Sequence, residues 1–331
     1  MPAAWITGHA GFAGQHLVSE LGSRGWRVWG IDRIDRMVAE PAGAESIELD
    51  LTDARAVQRA IERTHPQAIF HLAAQSSGGL SFARPAETMR NNIELILGLL
   101  EALRALAEEG ASVPVLLAVG SCEEYGGPAR DEELPLREDQ PLRPSNPYAV
   151  SKAAQTLLCQ QYRRAHELPI ICVRSFTHTG PGQSDRFVFS SFARQIAQIE
   201  EQGREGILQV GNLDVSRDVS DVRDVVRAYA DLVESGRLAW NVDAINVCSG
   251  RELWLRQGLE VLQRKSQAEI RVVQDPDRLR PADVSRFVGD PTLLRSLIGW
   301  VPTTPIDDTL GDLLTWWREK LASAGRGHQD A

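Results

Sequence analysis

The stretch that most constrains this chain is its opening. A short apolar run, Ala3-Ala4-Trp5-Ile6, leads into Thr7-Gly8-His9-Ala10-Gly11-Phe12-Ala13-Gly14, and His16 to Arg24 then has helical character. A strand that enters a helix through a glycine-rich turn brings uncapped amides and the positive end of a helix dipole to one point. Glycines there let a pyrophosphate approach the backbone. The G-x-x-G-x-x-G spacing alone fits either such a cradle or a plain tight turn. A second apolar strand, Trp26 to Ile31, ends at Asp32, eighteen residues beyond Gly14, and an acid at about that distance binds an adenosine ribose. Asp32 would accept from the 2′ and 3′ hydroxyls and repel a 2′-phosphate. NAD is therefore expected over NADP, with Arg33 beside it offering a phosphate some compensation. Gly8, Gly11, Phe12 and Gly14 are the expected cofactor-binding residues of the turn.

Strands continue at the interval that helices would fill. Ser46 to Leu49 ends at Asp50-Leu51, where the acid either receives an adenine amino group or, with Thr52, caps a helix. Ala68-Ile69-Phe70 runs into His71-Leu72-Ala73-Ala74, whose small residues admit a cofactor. Pro114 to Val119 ends at Gly120-Ser121-Cys122-Glu123-Glu124-Tyr125-Gly126, and Pro169 to Val173 forms a sixth strand. Alternation of this kind predicts an α/β fold with a Rossmann-type, doubly wound parallel sheet, in which ligands bind at the carboxyl ends of the strands. Residues 1–175, with interleaved later segments, are expected to form the cofactor-binding domain. A smaller mixed α/β substrate lobe is expected over 176–321, and 322–331 reads as a polar tail. The helix from about Asn92 to Ala107 carries an apolar surface broad enough for a core face. Residues 127–146 read as an irregular, exposed loop, a common setting for substrate contacts.

Charge and cysteine usage exclude several classes. A net charge of −9 argues against non-specific attraction to nucleic acid or a membrane surface, so an anionic ligand must be held by local arginines and amides. Cys122, Cys159, Cys172 and Cys248 lack metal-site or C-x-x-C spacing, and no apolar run approaches the roughly 18 residues that span a bilayer. A cytoplasmic protein without a metal is expected.

Tyr148-Ala149-Val150-Ser151-Lys152 places a phenol and an ammonium on one helical face. A free tyrosine titrates near pH 10, and a nearby cation lowers that value, so such a pair can act as a tuned acid. Together with Thr7-Gly8-x-x-Gly11-x-x-Gly14, His71-Leu72-Ala73-Ala74 and Ser121, it resembles the extended short-chain dehydrogenase/reductase family of nucleotide-sugar enzymes. The resemblance implies that Tyr148 protonates a substrate oxygen, that Ser121 is a second donor to it, and that Lys152 lowers the phenol and bonds the nicotinamide ribose. It also implies a homodimer.

Later stretches are similar to the GDP-4-keto-6-deoxy-D-mannose reductases, which form GDP-D-rhamnose: Gly180-Pro181-Gly182-Gln183, Phe187-Val188, Val210-Gly211-Asn212, Arg217-Asp218-Val219 and Leu279-Arg280-Pro281 among them. The similarity implies that Arg217 and Arg280 contact the nucleotide or diphosphate, with Val188, Thr177 and Asp283 as further substrate-binding residues. Two positions depart from it. Thr177 stands where the family has asparagine, and Cys122 stands where the reductases have a second serine; that thiol is expected to pack rather than react. Glu123 keeps a rival reaction open, because 4,6-dehydratases use an acid there to remove the C5 proton. The run Gly182 to Phe189 lacks their threonine-arginine-lysine pattern. C4 epimerisation is a third possibility on the same residues.

Overall fold

The computed structural model describes residues 1–32, 43–76, 78–128, 130–203, 205–236, 242–279 and 284–326. Strand β1 (Ala3–Thr7) is buried along its whole length and passes through Gly8, at φ +72°, to helix α1 (Phe12–Ser23). The helix starts four residues earlier than its sequence suggests, since the glycine turn feeds it directly. Then follow β2 (Arg27–Asp32), β3 (Ala44–Glu48), α2 (Ala54–Thr64), β4 (Ala68–His71), α3 (Gly78–Ala83), α4 (Pro85–Glu108) and β5 (Val115–Ser121). Helix α5 (Pro147–His166) begins at Asn146, whose side chain accepts from the Ala149 amide, with Pro147 in the first turn where its missing N–H costs nothing. Strands β6 (Ile170–Ser175) and β7 (Thr177–Thr179) come next, followed by α6 (Val188–Gln202), β8 (Glu205–Val210), β9 (Ser216–Asp221) and α7 (Val222–Glu234). The chain closes with β10 (Ile245–Val247), β11 (Glu252–Trp254), α8 (Leu255–Arg264), β12 (Glu269–Gln274), β13 (Arg286–Phe287), α9 (Thr292–Ile298) and α10 (Ile306–Arg326).

The large sheet has strand order β10-β6-β5-β4-β1-β2-β3, and every pair in it is parallel. Period-two alternation sends Ile6, Phe70 and Leu117 to one face, against Leu17 and Val18 of α1 and Val225 and Tyr229 of α7. Trp5, Ile69 and Leu116 go to the other, against Val57 of α2, Leu99 and Leu103 of α4 and Cys159 of α5. This is the doubly wound fold expected from sequence. Its direction of growth reverses between β1 and β4, which opens a crevice at their carboxyl ends.

A smaller mixed region is built from the later segments. β9 pairs with β11, β13 and β7, β8 pairs with β12, and α6, α8 and α10 pack around a separate apolar cluster containing Phe189, Phe192, Leu259 and Leu313. β10 and α7 return to the large sheet. Helix α10 continues to Arg326, into the stretch expected as a tail; Ala322 and Ala324 favour helix, so polarity alone did not end it.

Candidate active site

Three turns meet at the crevice. At the first, Gly8 packs so closely on the β4 exit that a Cβ there would lie 3.1 Å from the Ala73 backbone, and one on Gly14 would lie 2.3 Å from the Gly8 carbonyl oxygen. A Cβ on Gly11 would meet only the Gly8 oxygen. Gly11 is also the N-cap of α1, makes no side-chain cap, and is followed by no acid in the first turn. The turn thus presents helix amides to open space, and its shape fits a pyrophosphate.

The Thr7 hydroxyl accepts from the Ala73 amide at 3.1 Å and shares a hydrogen bond with His71 Nδ1 at 2.9 Å, which ties this turn to the Leu72-Ala73-Ala74 exit. Burial, then the Lys152 charge, hold His71 down at about 3, so it is neutral.

Beside β2 and β3, the His9 ring lies over Gly30 and within 3.2 Å of the Ser46 hydroxyl. Asp32 stands directly across from Glu48 at the ends of β2 and β3. Asp50 accepts from the amide and hydroxyl of Thr52, at 3.0 and 2.9 Å, and Asp53 rather than either of them caps α2. Leu51 is buried under α4. Arg33 lies outside the described residues.

The second turn ends β5. Ser121 Oγ accepts from the Glu123 amide at 3.2 Å, while Glu124 Oε1 accepts from the Ser121 amide at 2.9 Å, a reciprocal cap of the short 3-10 turn Cys122–Tyr125. Ser121 also hydrogen-bonds the Tyr148 phenol. Glu123 Oε2 accepts from Asn146 Nδ2 at 2.7 Å, so the residue that caps α5 also orients this carboxylate beside Tyr148. Burial, then the Glu123 charge, push the phenol upward, and the Ser121 bond opposes them.

Lys152 does not take the part expected of it toward the phenol. Its ammonium donates to the Val119 carbonyl at 2.7 Å and to Gln155 Oε1 at 3.1 Å, and burial brings it down to about 8. In this arrangement Tyr148 is a firmly protonated acid. Cys122 is buried near Tyr125 and Phe176, and burial pushes its thiol up, so it packs.

The third turn follows β6. His178 donates through Nδ1 to the Phe176 carbonyl at 3.0 Å and stacks on Phe12, with centroids 5.9 Å apart, while His16 Nε2 meets the Pro181 carbonyl at 2.8 Å. Thr177 opens β7, and Val188 opens α6 against the smaller apolar cluster. Arg217 donates to the Ser216 and Val284 carbonyls at 2.7 and 2.9 Å and lies over the Phe287 ring. Arg280 and Asp283 lie outside the described residues.

Sequence reasoning passed over Glu124, Arg174, Asn146 and His9. Ser121-x-x-Glu124 is a capping-box pattern and Asn146-Pro147 a helix-start signal, so two of the four carried a local clue. Arg174 and His9 act through partners distant in sequence.

The glycine turn at the head of a doubly wound parallel sheet, with Ser121 and Tyr148 hydrogen-bonded at the β5 end and Lys152 on the Tyr148 helix, agrees with the comparisons in placing the chain among nucleotide-sugar enzymes that use a nicotinamide. Residues 5–313 match the family described as GDP-mannose 4,6 dehydratase, and the chain belongs to that family. It is 35% identical to GDP-6-deoxy-D-mannose reductase of Pseudomonas aeruginosa, over 96% of this chain and 97% of the relative. It is 29% identical to GDP-mannose 4,6-dehydratase of Vibrio cholerae, over 94% and 92%. Among solved structures, RMD from Pseudomonas aeruginosa complexed with NADPH superposes with a TM-score of 0.79 at 34% identity, covering 97% of this chain and 98% of that one. UDP-glucose 4-epimerase from Thermotoga maritima with UDP-glucose gives 0.82 at 25%, covering 96% and 99%.

Proposed function

We propose that the protein reduces the C4 ketone of a GDP-4-keto-6-deoxy sugar to a GDP-6-deoxyhexose such as GDP-D-rhamnose. The observation that carries this reading is the Tyr148 phenol, held protonated against Ser121. Reduction of a ketone needs a proton donor at the oxygen, and a buried phenol bonded to a serine is poised as one. The 35% identity to a GDP-6-deoxy-D-mannose reductase supports the same substrate class.

A nicotinamide held by the Gly8–Gly14 turn, the Leu72–Ala74 exit and Asp32 would supply hydride to the carbonyl carbon. Tyr148 gives its proton to O4, and Ser121 aligns that oxygen as the second donor. Lys152 maintains positive charge beneath them, and Arg217, joined by Arg280, would hold the diphosphate. NADH is the expected form, from the acids at the ends of β2 and β3. NADP(H) use is the alternative, since the similar Pseudomonas protein is complexed with NADPH.

Purified protein given reduced cofactor and the ketosugar nucleotide should consume the near-ultraviolet absorbance of the cofactor in proportion to ketone. No consumption with either cofactor form would overturn the reading.

One observation favours a second reading, 4,6-dehydration. Glu123 is oriented by Asn146 beside Tyr148, where a base for the C5 proton would stand. That reading requires GDP-mannose to lose water without net cofactor change.

A cytoplasmic homodimer is part of the proposal. Val150 and Leu157, 39% and 56% exposed, lie one heptad apart on one face of α5 and support self-association there. Light scattering on the eluted protein measures this. No helix among the described residues is long and apolar enough to cross a membrane.

A further inference from the structure

We propose that Glu124 is a positioning residue for the reacting set: its buried carboxylate fixes the Ser121 backbone and serves as counter-charge to the Lys152 ammonium. The inference rests on the reading of Ser121, Tyr148 and Lys152 as the groups that reduce the ketone.

Glu124 is fully buried, a costly place for a carboxylate unless donors surround it. Three do. Oε1 accepts from the Ser121 amide at 2.9 Å and from the Thr156 hydroxyl at 3.2 Å, and Oε2 accepts from Arg174 Nε at 3.1 Å. The preceding strand makes room for it, since a Cβ on Gly120 would come within 2.2 Å of Oε1. Gly120 pairs directly with Arg174 across β5 and β6. Arg174 is itself fixed, donating to the Tyr125 hydroxyl at 2.9 Å and the Glu138 carbonyl at 3.2 Å, with its guanidinium 4.8 Å above the Tyr125 ring.

This arrangement does more than join two strands. Thr156 follows Lys152 by one helical turn on α5, so its bond to Glu124 ties the helix face that carries the ammonium to the turn that carries Ser121. The charged and titratable groups around Lys152 are Glu124 from that turn, His71 from β4 and Cys159 on its own helix. His71 is neutral, and the hydrogen bond to Cys172, with burial, pushes the Cys159 thiol up; burial also pushes Glu124 up, with Arg174 and the Ser121 amide opposing it, and Glu124 is the carboxylate whose charge favours the ammonium against burial.

The chain has three lysines, Lys152, Lys265 and Lys320, so protein labelled with carbon-13 lysine gives a spectrum in which Lys152 is assigned by a Lys152→Met variant. Titration of the parent should place the Lys152 midpoint near 8. In Glu124→Gln the midpoint should fall by about one pH unit, the lower end of what a close opposite charge supplies. Turnover of the ketosugar nucleotide should fall about twofold at pH 7 and about tenfold at pH 9, following the ammonium fraction as the midpoint moves from near 8 to near 7, with little change in KM.

Because Glu124→Gln alone leaves Arg174 buried without its anion, the paired Glu124→Leu, Arg174→Met variant is the second arm. Replacing both partners of a buried pair preserves folding better than removing one. It should show a smaller fall in the same direction, because the Arg174 charge leaves with the carboxylate. A Lys152 midpoint that does not fall in either folded variant overturns the inference. A parent that never reduces the ketone overturns the reductase reading, and the midpoint still decides whether Glu124 is the counter-charge.

Discussion

Two glycines on α1 should respond to the same substitution with opposite sign. Gly14 faces the turn: an added Cβ would lie 2.3 Å from the Gly8 carbonyl oxygen and 2.7 Å from the His9 Cα and oxygen, all backbone atoms with no rotamer to yield. Real Cβ contacts do not fall below 3.0 Å, so Gly14→Ala must move the Gly8–His9 backbone or the first turn of α1. Overpacking of this kind costs about 1–3 kcal/mol. The displaced atoms are those that form the cofactor cradle. Gly22, one residue from the end of the same helix, meets nothing within 4 Å. Gly22→Ala should therefore stabilise by about 0.5–1 kcal/mol through reduced freedom of the unfolded chain and better helix propensity. Urea unfolding gives both stabilities, and isothermal titration with NADH or NADPH gives both affinities. The expected result is a less stable Gly14→Ala protein that binds at least about tenfold more weakly, the loss that about 1.4 kcal/mol produces. Gly22→Ala should be more stable and bind unchanged. Equal affinities in the two variants would refute the placement of the cofactor on this turn.

Tyr148→Phe should keep its fold and cofactor affinity, because the ring still packs and Ser121 keeps its bond to the Glu123 amide, while turnover falls about 10² to 10⁴-fold; a variant with near-parental turnover would remove Tyr148 from the mechanism. Glu123→Gln should retain ketone reduction, with Asn146 still capping α5, and loss of all reduction would mean that the carboxylate takes part in proton transfer. His71 is neutral in the fold down to about pH 3, whereas an unfolded histidine takes its proton near 6.5. The unfolded state therefore binds the extra proton between those values, so stability is lost as pH falls through that window. Urea unfolding at pH 7 and pH 5 should show a smaller loss in His71→Asn than in the parent.

Local signals carried much of this into view. The glycine turn before α1, the position of Asp32 at the end of β2, and the placement of Tyr148 and Lys152 on α5 were legible because each depends on spacing within one strand, turn or helix. The large sheet followed from apolar runs at regular intervals. What escaped depends on partners far apart in the chain: Glu124 meets Arg174 fifty residues away, and His9 lies over Gly30 only after β2 pairs beside β1. Spacing placed Lys152 on the face of Tyr148, but the Val119 carbonyl and Gln155 decide where its ammonium goes, and neither was visible as a partner in sequence. In the smaller region, β9 reads Ser-Arg-Asp-Val-Ser-Asp and is nonetheless largely buried. Asp218 accepts there from the Ser249 and Gly250 amides, and the strand's mostly polar side chains hide its burial, so hydrophobic periodicity could not reveal the strand.

The central claim is that hydride reaches C4 of a ketosugar nucleotide while Tyr148 protonates O4. Its most direct test supplies the parent protein with a GDP-4-keto-6-deoxy sugar and reduced nicotinamide carrying deuterium at its transferable position, and follows the sugar by mass spectrometry and NMR. One deuterium is expected on C4 of a GDP-6-deoxyhexose, formed about 10² to 10⁴-fold more slowly by Tyr148→Phe. Absence of deuterium at C4, with loss of water from GDP-mannose in a parallel reaction, would contradict it.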